Sequence, residues 1–268
     1  MTHPGGATMS RANPTAGRIA ATLLAALAML AAVFAGTARA ADPPTVYAAA
    51  SLTDVFPKIN SSARFSFAGS NTLALQIRQG APADVFASAA PNFTQELYRD
   101  GLVEKPRFLA FNRLVVIVPK DNPADITSVY DLTRDGIKLV VANSRVPVGS
   151  YTRTVLRNLG ISSALRNVVS QESDVRDVLG KVALGQADAG FVYVTDARVA
   201  ASRLKTVQIP VFAQPKVRYE IAVVKSSRNL AGARAFVARA TGPAGQKLLK
   251  EAGFRFPPKP KPKPARRR

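Results

Sequence analysis

The sequence FSFAGSNTLALQIRQGAPADVFASA, residues 65–89, determines the fold class. An apolar run typical of a β-strand ends at Gly69, a helical pattern follows and closes before Gly80, and a second strand pattern begins at Asp84. The same alternation of strand and helix patterns continues through most of the chain. It predicts an α/β fold in which largely parallel sheets are covered by helices.

The other elements are predicted from the same two patterns. Strands are expected in runs rich in Val, Ile and Phe, at residues 45–50, 64–69, 84–89, 113–119, 138–143, 189–194, 207–212 and 219–224. Helices are expected in runs that end next to a glycine, at residues 72–79, 91–100, 151–159 and 175–184. The last of these carries the apolar stripe of a buried helix face, formed by Val175, Val178, Leu179, Val182 and Ala183.

Two serines occupy equivalent places in this pattern. Ser51 and Ser70 each lie where a strand pattern passes into a helical pattern. The first N–H groups of a helix have no intrahelical partner and carry partial positive charge, so two such termini that face one point would bind an anion without a formal cation. Each serine alone could equally be a helix cap worth about 1 kcal/mol, and Ser-Leu-Thr-Asp at residues 51–54 resembles a capping box.

The composition excludes several kinds of chemistry. The chain contains no Cys, and its single His and three Met all lie within the first forty residues. Thiolate nucleophiles, imidazole bases, haem and the usual zinc sites are therefore not expected in the exported protein, and neither is a cofactor. We expect a protein that is not an enzyme. A secreted hydrolase that uses Ser51 or Ser70 stays open as an alternative, although no Gly-x-Ser-x-Gly motif surrounds either serine.

The N-terminus has the pattern of an export signal. Arg11 and Arg18 precede an apolar run at residues 19–36, and Ala38-Arg39-Ala40 is a cleavage sequence of the small-x-small type. We expect residues 1–40 to be a cleaved signal peptide, which places the protein in the periplasm or on the extracellular face of the cytoplasmic membrane. The alternative is a retained membrane anchor that carries an anion-sensing module.

The C-terminus, residues 257–268, alternates Pro and Lys and ends in three Arg. This composition cannot bury a core and favours an extended, disordered tail. The formal net charge of the chain is +20, of which the signal carries +3 and the tail +6, leaving +11 for the globular part. The tail either keeps the protein soluble or contacts an anionic envelope surface. Nucleic acid is not an expected partner, because the tail lacks aromatic residues that stack on bases.

Six blocks of sequence occur in the order found in one known family. They are AAASLTD at residues 48–54, FAGSNTLALQIRQGAPADVFASA at 67–89, VPVGSY at 146–151, SDVRDVL at 173–179, QADAGFVYVTDA at 186–197 and YEIAVV at 219–224. In these blocks the chain resembles the periplasmic molybdate-binding proteins of ABC importers, which are class II solute-binding proteins.

This resemblance implies a periplasmic-binding-protein type II fold with two lobes. One lobe would comprise residues 43–119 and 220–256, and the other residues 120–219. Two crossing strands, at residues 114–119 and 220–224, would join them. The resemblance also implies that the protein delivers molybdate or tungstate to a membrane permease with a cytoplasmic ATPase. We expect it to do so as a monomer.

The resemblance further implies the ligand-binding residues. Five positions match those that hold the oxyanion in the family, namely Ser51, Ser70, Val148, Val175 and Tyr193. The serines would contribute hydroxyl and N–H groups, the valines N–H groups, and Tyr193 its hydroxyl. Molybdenum would thus be held as molybdate and not as a bare metal ion. Pro147 suits a helix start and Ser173 suits an N-cap, which would leave the N–H of Val175 free. Without the other four matches, Tyr193 would be interpreted as an ordinary core residue.

These five positions supply donors and no carboxylate acceptor. A fully deprotonated dianion such as molybdate, tungstate or sulfate suits them, whereas hydrogen phosphate carries a proton that needs an acceptor. The choice of molybdate over sulfate comes from the resemblance alone. Two features depart from the family. The segment between Ser51 and Ser70 is short and contains Pro57, which predicts a short first helix, and Val148 stands where a smaller residue is common.

Overall fold

The structure, a computed structural model, describes Met1 and residues 42–258. The predicted signal peptide and most of the predicted C-terminal tail lie outside the described residues. Within the described range, every helix is too short or too polar to span a bilayer.

The first of two sheets contains strands from both ends of the described chain. Its strands are β1 (Thr45–Ala49), β2 (Arg64–Ala68), β3 (Val85–Ser88), β4 (Arg107–Asn112) and β10 (Val217–Val223). They lie in the order β2-β1-β3-β10-β4. β1 is parallel to both of its neighbours, and β10 is antiparallel to both of its own. The helices on this side are α1 (Phe56–Ile59), α2 (Ser70–Arg78), α3 (Pro91–Arg99), α7 (Leu230–Thr241) and α8 (Pro243–Glu251).

The second sheet is formed by the middle of the chain. Its strands are β5 (Leu114–Pro119), β6 (Leu139–Ala142), β7 (Val168–Glu172), β8 (Ala189–Tyr193) and β9 (Leu204–Val207), in the order β7-β6-β8-β5-β9. β6 is parallel to its neighbours and β5 is antiparallel to its own. The helices here are α4 (Pro147–Asn158), α5 (Val175–Ala183) and α6 (Val194–Val199). Short 3-10 turns occupy Ala50–Leu52, Val129–Thr133, Ser162–Asn167 and Val211–Ala213.

The predicted α/β class is confirmed, and each of the two sheets is mixed. In each sheet four strands run in the same direction and one strand, β10 in the first sheet and β5 in the second, runs antiparallel to both of its neighbours. The antiparallel strands occur where the chain changes sheets, since β4 of the first sheet is followed after Arg113 by β5 of the second. A strand that arrives from another sheet has no crossover helix to make it parallel to its neighbour.

The chain also changes sheets at a different place from the one predicted. Residues 114–119 are assigned by the prediction to the first lobe, but they form β5, which pairs with β8 and β9 of the second sheet. All six residues of β5 are buried, as expected for an apolar strand between two partners. The crossing point is therefore Arg113. The chain returns between β9 and β10, and the second predicted crossing strand falls within or next to β10 of the first sheet.

One predicted strand, residues 207–212, is not formed. β9 ends at Val207, and Pro210 precedes the 3-10 turn at Val211–Ala213. Pro has no N–H group to donate to a sheet, which explains why the strand does not continue. The predicted short first helix is confirmed, because α1 contains four residues and Pro57 lies at its start.

Helix α5 packs closely against the second sheet. Its predicted apolar stripe is buried at Val175, Val178, Leu179 and Val182, and Ala183 is half-buried. A Cβ atom at Gly190 of β8 would lie 2.8 Å from Cγ1 of Val178, so the helix approaches the strand closely because this glycine has no side chain. Burial of each Val or Leu side chain contributes roughly 1.5–3 kcal/mol. The start of α5 is therefore held firmly against the sheet.

Candidate functional site

A small cavity lies between the two sheets, at the carboxyl ends of β1, β2, β3 and β8. The part of the protein built on the first sheet is called the first side, and the part built on the second sheet the second side. The first side supplies Ala49, Ala50, Ser51, Ala68, Gly69, Ser70 and Ala89, and the second supplies Val146, Pro147, Val148, Asp174, Val175 and Tyr193. The cavity has a volume of about 10 Å³, close to the smallest space that holds one water-sized solute. All five residues predicted to bind a ligand line it, so the fold brings them together around room for one small ligand.

Ser51 lies in the 3-10 turn that follows β1, and it is buried. Its Oγ atom is 2.7 Å from the phenol oxygen of Tyr219. The predicted capping box is not formed. The residue before the turn is Ala49, which makes no side-chain cap, and Ser51 itself caps no helix. The hydroxyl is thus held by a distant tyrosine, at the edge of the cavity, and not by the backbone of its own turn.

Ser70 is the first residue of α2, and Gly69 occupies the position before the helix. The Oγ atom of Ser70 accepts a hydrogen bond from the N–H of Ala89 at 3.1 Å. Because that bond uses the oxygen as an acceptor, the hydroxyl hydrogen is left to donate toward the cavity. The backbone N–H of Ser70 is a first-turn group, which has no acceptor within its own helix.

Two helix starts face Ser51 and Ser70 from the second side. Val148 follows Pro147 in the first turn of α4, and Val175 is the first residue of α5. Their N–H groups have no intrahelical acceptor. Ser173 was the predicted N-cap of α5, but the structure places Asp174 there. The Asp174 carboxylate accepts hydrogen bonds from the N–H groups of Arg176 at 2.6 Å and Asp177 at 3.2 Å. The N–H of Val175 lies outside this cap and borders the cavity.

Tyr193 ends β8 and is 1% exposed. Its hydroxyl and Oδ1 of Asn71 are the two buried side-chain polar atoms of the described residues that have no hydrogen-bond partner. Burial raises the pKa of Tyr193 well above its ordinary value of 10, so the phenol stays protonated and can donate. An unpaired buried hydroxyl is costly and calls for a partner that the protein itself does not supply. Here it borders the cavity.

Asp174 is a residue that the sequence interpretation did not place at the site. The sequence predicted a site without a carboxylate, but Asp174 lines the cavity. Its carboxylate already accepts the two N–H groups of the α5 start. Burial raises the pKa of Asp174. Of the described residues that line the cavity, none is a Lys or Arg, so any anion there would be held by neutral donors.

An ion-pair network beside the cavity joins its two sides. The Arg176 guanidinium, at the start of α5, lies 2.5 Å from the carboxylate of Asp54 on the first side and 2.8 Å from that of Asp196 on the second. Burial raises the pKa of Asp196 to about 6, while the nearby Arg176 acts in the opposite direction. The hydroxyl of Tyr151, on the second side, also donates to the first side, at 3.4 Å from the carbonyl oxygen of Ala89. No sequence signal marks these long-range partners.

Direct metal coordination is not indicated by the described residues, which contain no group of three or more His, Cys, Asp or Glu side chains placed to hold a metal ion. The cavity is instead a cluster of hydroxyl and N–H donors. Such a cluster can bind a small anion through its oxygen atoms.

Comparison with known proteins gives the class to which this fold and site belong. The family model for bacterial extracellular solute-binding proteins matches residues 44–255. The chain belongs to this family.

Individual relatives agree with that assignment. The molybdate-binding protein ModA of Mycobacterium tuberculosis H37Rv is 42% identical over 233 residues, which cover 83% of this chain and 88% of that protein. The molybdate-binding protein ModA of Escherichia coli K12 is 35% identical over 232 residues, covering 78% of this chain and 88% of its own. The structure of the periplasmic molybdate-binding protein of Azotobacter vinelandii has the same fold, with a TM-score of 0.71 at 23% identity, and the match covers 80% of this chain and 99% of that one.

Proposed function

We propose that this protein captures molybdate between its two lobes outside the cytoplasm and delivers it to the permease of an ABC importer. One observation carries the proposal. Hydroxyl and N–H donors from both sides converge on one cavity, and among them the buried hydroxyl of Tyr193 has no partner in the described part of the protein. A ligand with several acceptor oxygens would supply that partner.

The cavity favours a compact, fully deprotonated oxyanion. Its volume of about 10 Å³ holds about one water molecule, so the lining must widen slightly to admit a tetrahedral oxyanion and would have to open much further for a sugar or an amino acid. Ser51, Ser70 and Tyr193 can each donate a hydroxyl hydrogen, and the helix starts at Val148 and Val175 add N–H donors. Asp174 is the acidic group at the lining, and its Oδ1 atom accepts both backbone N–H groups at the start of α5. Hydrogen phosphate would need an acceptor such as Oδ2 of Asp174, whereas a fully deprotonated oxyanion needs none.

The donor set is sufficient for tight binding. Hydrogen bonds to a charged group contribute about 1.5–3 kcal/mol each, so five or more of them can exceed the roughly 8 kcal/mol of a micromolar complex. Part of that energy offsets the ordering of the two lobes. Because donors come from both sides of the cavity, the ligand binds the closed arrangement more tightly than the open one and shifts the population toward it.

Molybdate is preferred to other dianions on the strength of the relatives. The chain is 42% identical to a protein described as molybdate-binding, and the match covers most of both chains. Tungstate has the same charge and tetrahedral form and is included in the proposal. Sulfate, which shares both, is the alternative ligand, and the experiment below separates it.

A hydrolytic role for either serine is not favoured by their contacts. The Oγ atom of Ser51 is bonded to a tyrosine that burial keeps protonated, and Oγ of Ser70 accepts from a backbone N–H group. Neither contact is a Lys or carboxylate that could remove the hydroxyl proton. We therefore propose a binding role without catalysis and without a cofactor.

The remaining elements of the proposal concern location and partners. The family is described as extracellular, which supports export of the chain and is consistent with a signal at residues 1–40. The permease would recognise the ligand-closed monomer. The basic tail is proposed to contact anionic envelope surfaces, because each basic residue near such a surface contributes about 1 kcal/mol.

Isothermal titration calorimetry of the exported protein with molybdate, tungstate, sulfate and phosphate tests the proposal. We expect molybdate and tungstate to bind with micromolar or tighter dissociation constants, and phosphate not to bind. Equal affinity for sulfate would make the protein a general receptor for tetrahedral dianions. Equal affinity for phosphate, or no binding of any of the four, would refute the proposed ligand class.

A further inference from the structure

A chain of hydrogen bonds runs from Ser51 away from the cavity. The Ser51 hydroxyl is 2.7 Å from the phenol oxygen of Tyr219. That oxygen is in turn 3.5 Å from Nδ2 of Asn112, and the same nitrogen donates to Oγ1 of Thr195 at 3.0 Å. All four side chains are buried. The proposed function uses only the first of them.

The donors in this chain can be assigned from its far end. The backbone N–H of Arg113 donates to Oδ1 of Asn112 at 2.9 Å. The amide nitrogen of Asn112 must then face Tyr219 and Thr195, and it donates one hydrogen to each. Either oxygen of the Ser51–Tyr219 pair could be the donor. Because the phenol oxygen of Tyr219 already accepts from Asn112, this arrangement favours its own hydrogen on the bond to Oγ of Ser51. The Ser51 hydroxyl hydrogen has no other acceptor among the described side chains and is left to point into the cavity.

Packing keeps Tyr219 in this role. Its side chain is 0% exposed, and its ring makes edge contacts with Tyr193 and Phe254 at centroid distances of 5.8 and 5.2 Å. The ring therefore cannot turn its hydroxyl toward water. Burial also raises the pKa of Tyr219 well above its ordinary value, so the group remains a phenol over the physiological range and can always donate.

The chain of hydrogen bonds also joins the two sides of the cavity. Asn112 is the last residue of β4 in the first sheet, whereas Thr195 lies in α6 beside the second sheet. The hydrogen bond between them forms only when the two sides are close. The orientation of Asn112, and through it that of Tyr219, is thus completed in the same arrangement that encloses the ligand.

We propose that Tyr219 is a positioning residue that fixes the Ser51 hydroxyl as a donor, and that it thereby selects fully deprotonated oxyanions. A Ser51 oxygen that already accepts from Tyr219 keeps one lone pair and directs its own hydrogen into the cavity, so it serves a deprotonated ligand oxygen better than a protonated one. This inference rests on the proposed function, because it gives one donor of that site its direction. It adds a determinant of selectivity that does not itself touch the ligand.

The test is a double-mutant cycle measured by calorimetry on the exported protein. Tyr219→Phe removes only the hydroxyl, and we expect it to weaken molybdate binding roughly three- to tenfold, the worth of one neutral hydrogen bond. In a Ser51→Ala background the same change should have almost no further effect, because Tyr219 acts through Ser51. Tyr47→Phe, on a partly buried tyrosine of β1, is the matched control and should leave affinity unchanged.

A second readout separates positioning from stability. Without the Tyr219 hydroxyl, Ser51 is free to accept, so the preference for molybdate over phosphate should narrow in Tyr219→Phe and not in Tyr47→Phe. An equal loss of affinity in both backgrounds, or an unchanged preference, would overturn the inference. If wild-type protein binds molybdate and Ser51→Ala weakens it while Tyr219→Phe does not, this inference fails and the proposed function stands. If wild-type protein binds no oxyanion, the proposed function fails first.

Discussion

Gly69 lies against the backbone of Ser173, so that a Cβ atom at Gly69 would stand 2.7 Å from the Ser173 carbonyl oxygen. Gly69 belongs to the first side of the cavity, and Ser173 precedes α5 on the second. The backbone angles of Gly69, φ −59° and ψ 136°, are accessible to any residue. The glycine is therefore required for the close approach of the two sides and not for its own conformation.

Gly69→Ala should hinder closure. A Cβ atom there would also lie 2.7 Å from Oδ1 of Asn71 in the same lobe, but that side chain can rotate away. The added methyl group meets a backbone atom that cannot rotate away, and overpacking of this kind costs about 1–3 kcal/mol, or roughly five- to a hundredfold in affinity. We expect weaker molybdate binding in calorimetry, with little change in the melting temperature of the ligand-free protein. Gly180→Ala is the control, because a Cβ there meets nothing within 4 Å. Unchanged affinity in Gly69→Ala would show that the ligand-bound arrangement is more open than this one.

The two serines should each contribute directly to molybdate binding. Ser51→Ala and Ser70→Ala are expected to weaken molybdate binding by about 1.5–3 kcal/mol, or ten- to a hundredfold, since each removes a hydrogen bond to a charged ligand. Titration calorimetry measures the loss. Ser62→Ala is the matched control, because its hydroxyl is exposed and bonds only to the neighbouring Asn60. A serine variant that binds normally would reduce that serine to a structural residue.

Tyr193→Phe should separate affinity from stability. The Tyr193 hydroxyl has no partner in the ligand-free protein, so its removal should leave the melting temperature unchanged or slightly higher. Molybdate affinity should fall about tenfold, as one donor to a charged ligand is lost. In small-angle scattering, molybdate should reduce the radius of gyration of wild-type protein, and the variant should need more ligand for the same change. A large loss of stability with normal affinity would argue instead for a core role.

Asp196 should give the protein a characteristic pH dependence. Burial raises its pKa from 3.8 to about 6. Between these values the folded protein holds more protons at Asp196 than the unfolded chain, so the contribution of this group to stability falls as the pH rises from 3.8 to about 6 and is constant above. The melting temperature of wild-type protein relative to Asp196→Asn should therefore decrease over that range. Asp121→Asn, at an exposed position, is the control. A relative melting temperature that rises with pH would contradict the assignment.

The parts of the fold that follow from local sequence could be predicted. The spacing of apolar residues predicts the buried stripe of α5 and the strands that precede Ser51 and Ser70. Pro57 predicts the short α1. The predictions failed where pairing is decided by distant segments. The edge strands β4, β7 and β9 were not predicted, and the predicted place where the chain changes sheets was wrong, because no local pattern encodes which distant segments pair.

The site could be predicted only in part, for the same reason. The helix starts that carry Ser70, Val148 and Val175 have local signals in glycine or proline. The contact between Ser51 and Tyr219 joins residues 168 positions apart, and the pairing of Arg176 with Asp54 joins residues 122 apart. Such contacts exist only in the folded chain. The cap of α5 was misassigned by one residue because Ser173 and Asp174 are both good N-cap residues.

A crystal of the exported protein grown with molybdate tests the central claim most directly. Anomalous scattering recorded at the molybdenum absorption edge locates the metal atom without reference to the protein. We predict one strong anomalous peak in the cavity, with the attached oxygen atoms within hydrogen-bond distance of the hydroxyls of Ser51, Ser70 and Tyr193 and of the N–H groups of Val148 and Val175. A peak bound at another place, or none in protein that calorimetry shows to be saturated, would contradict the proposed site.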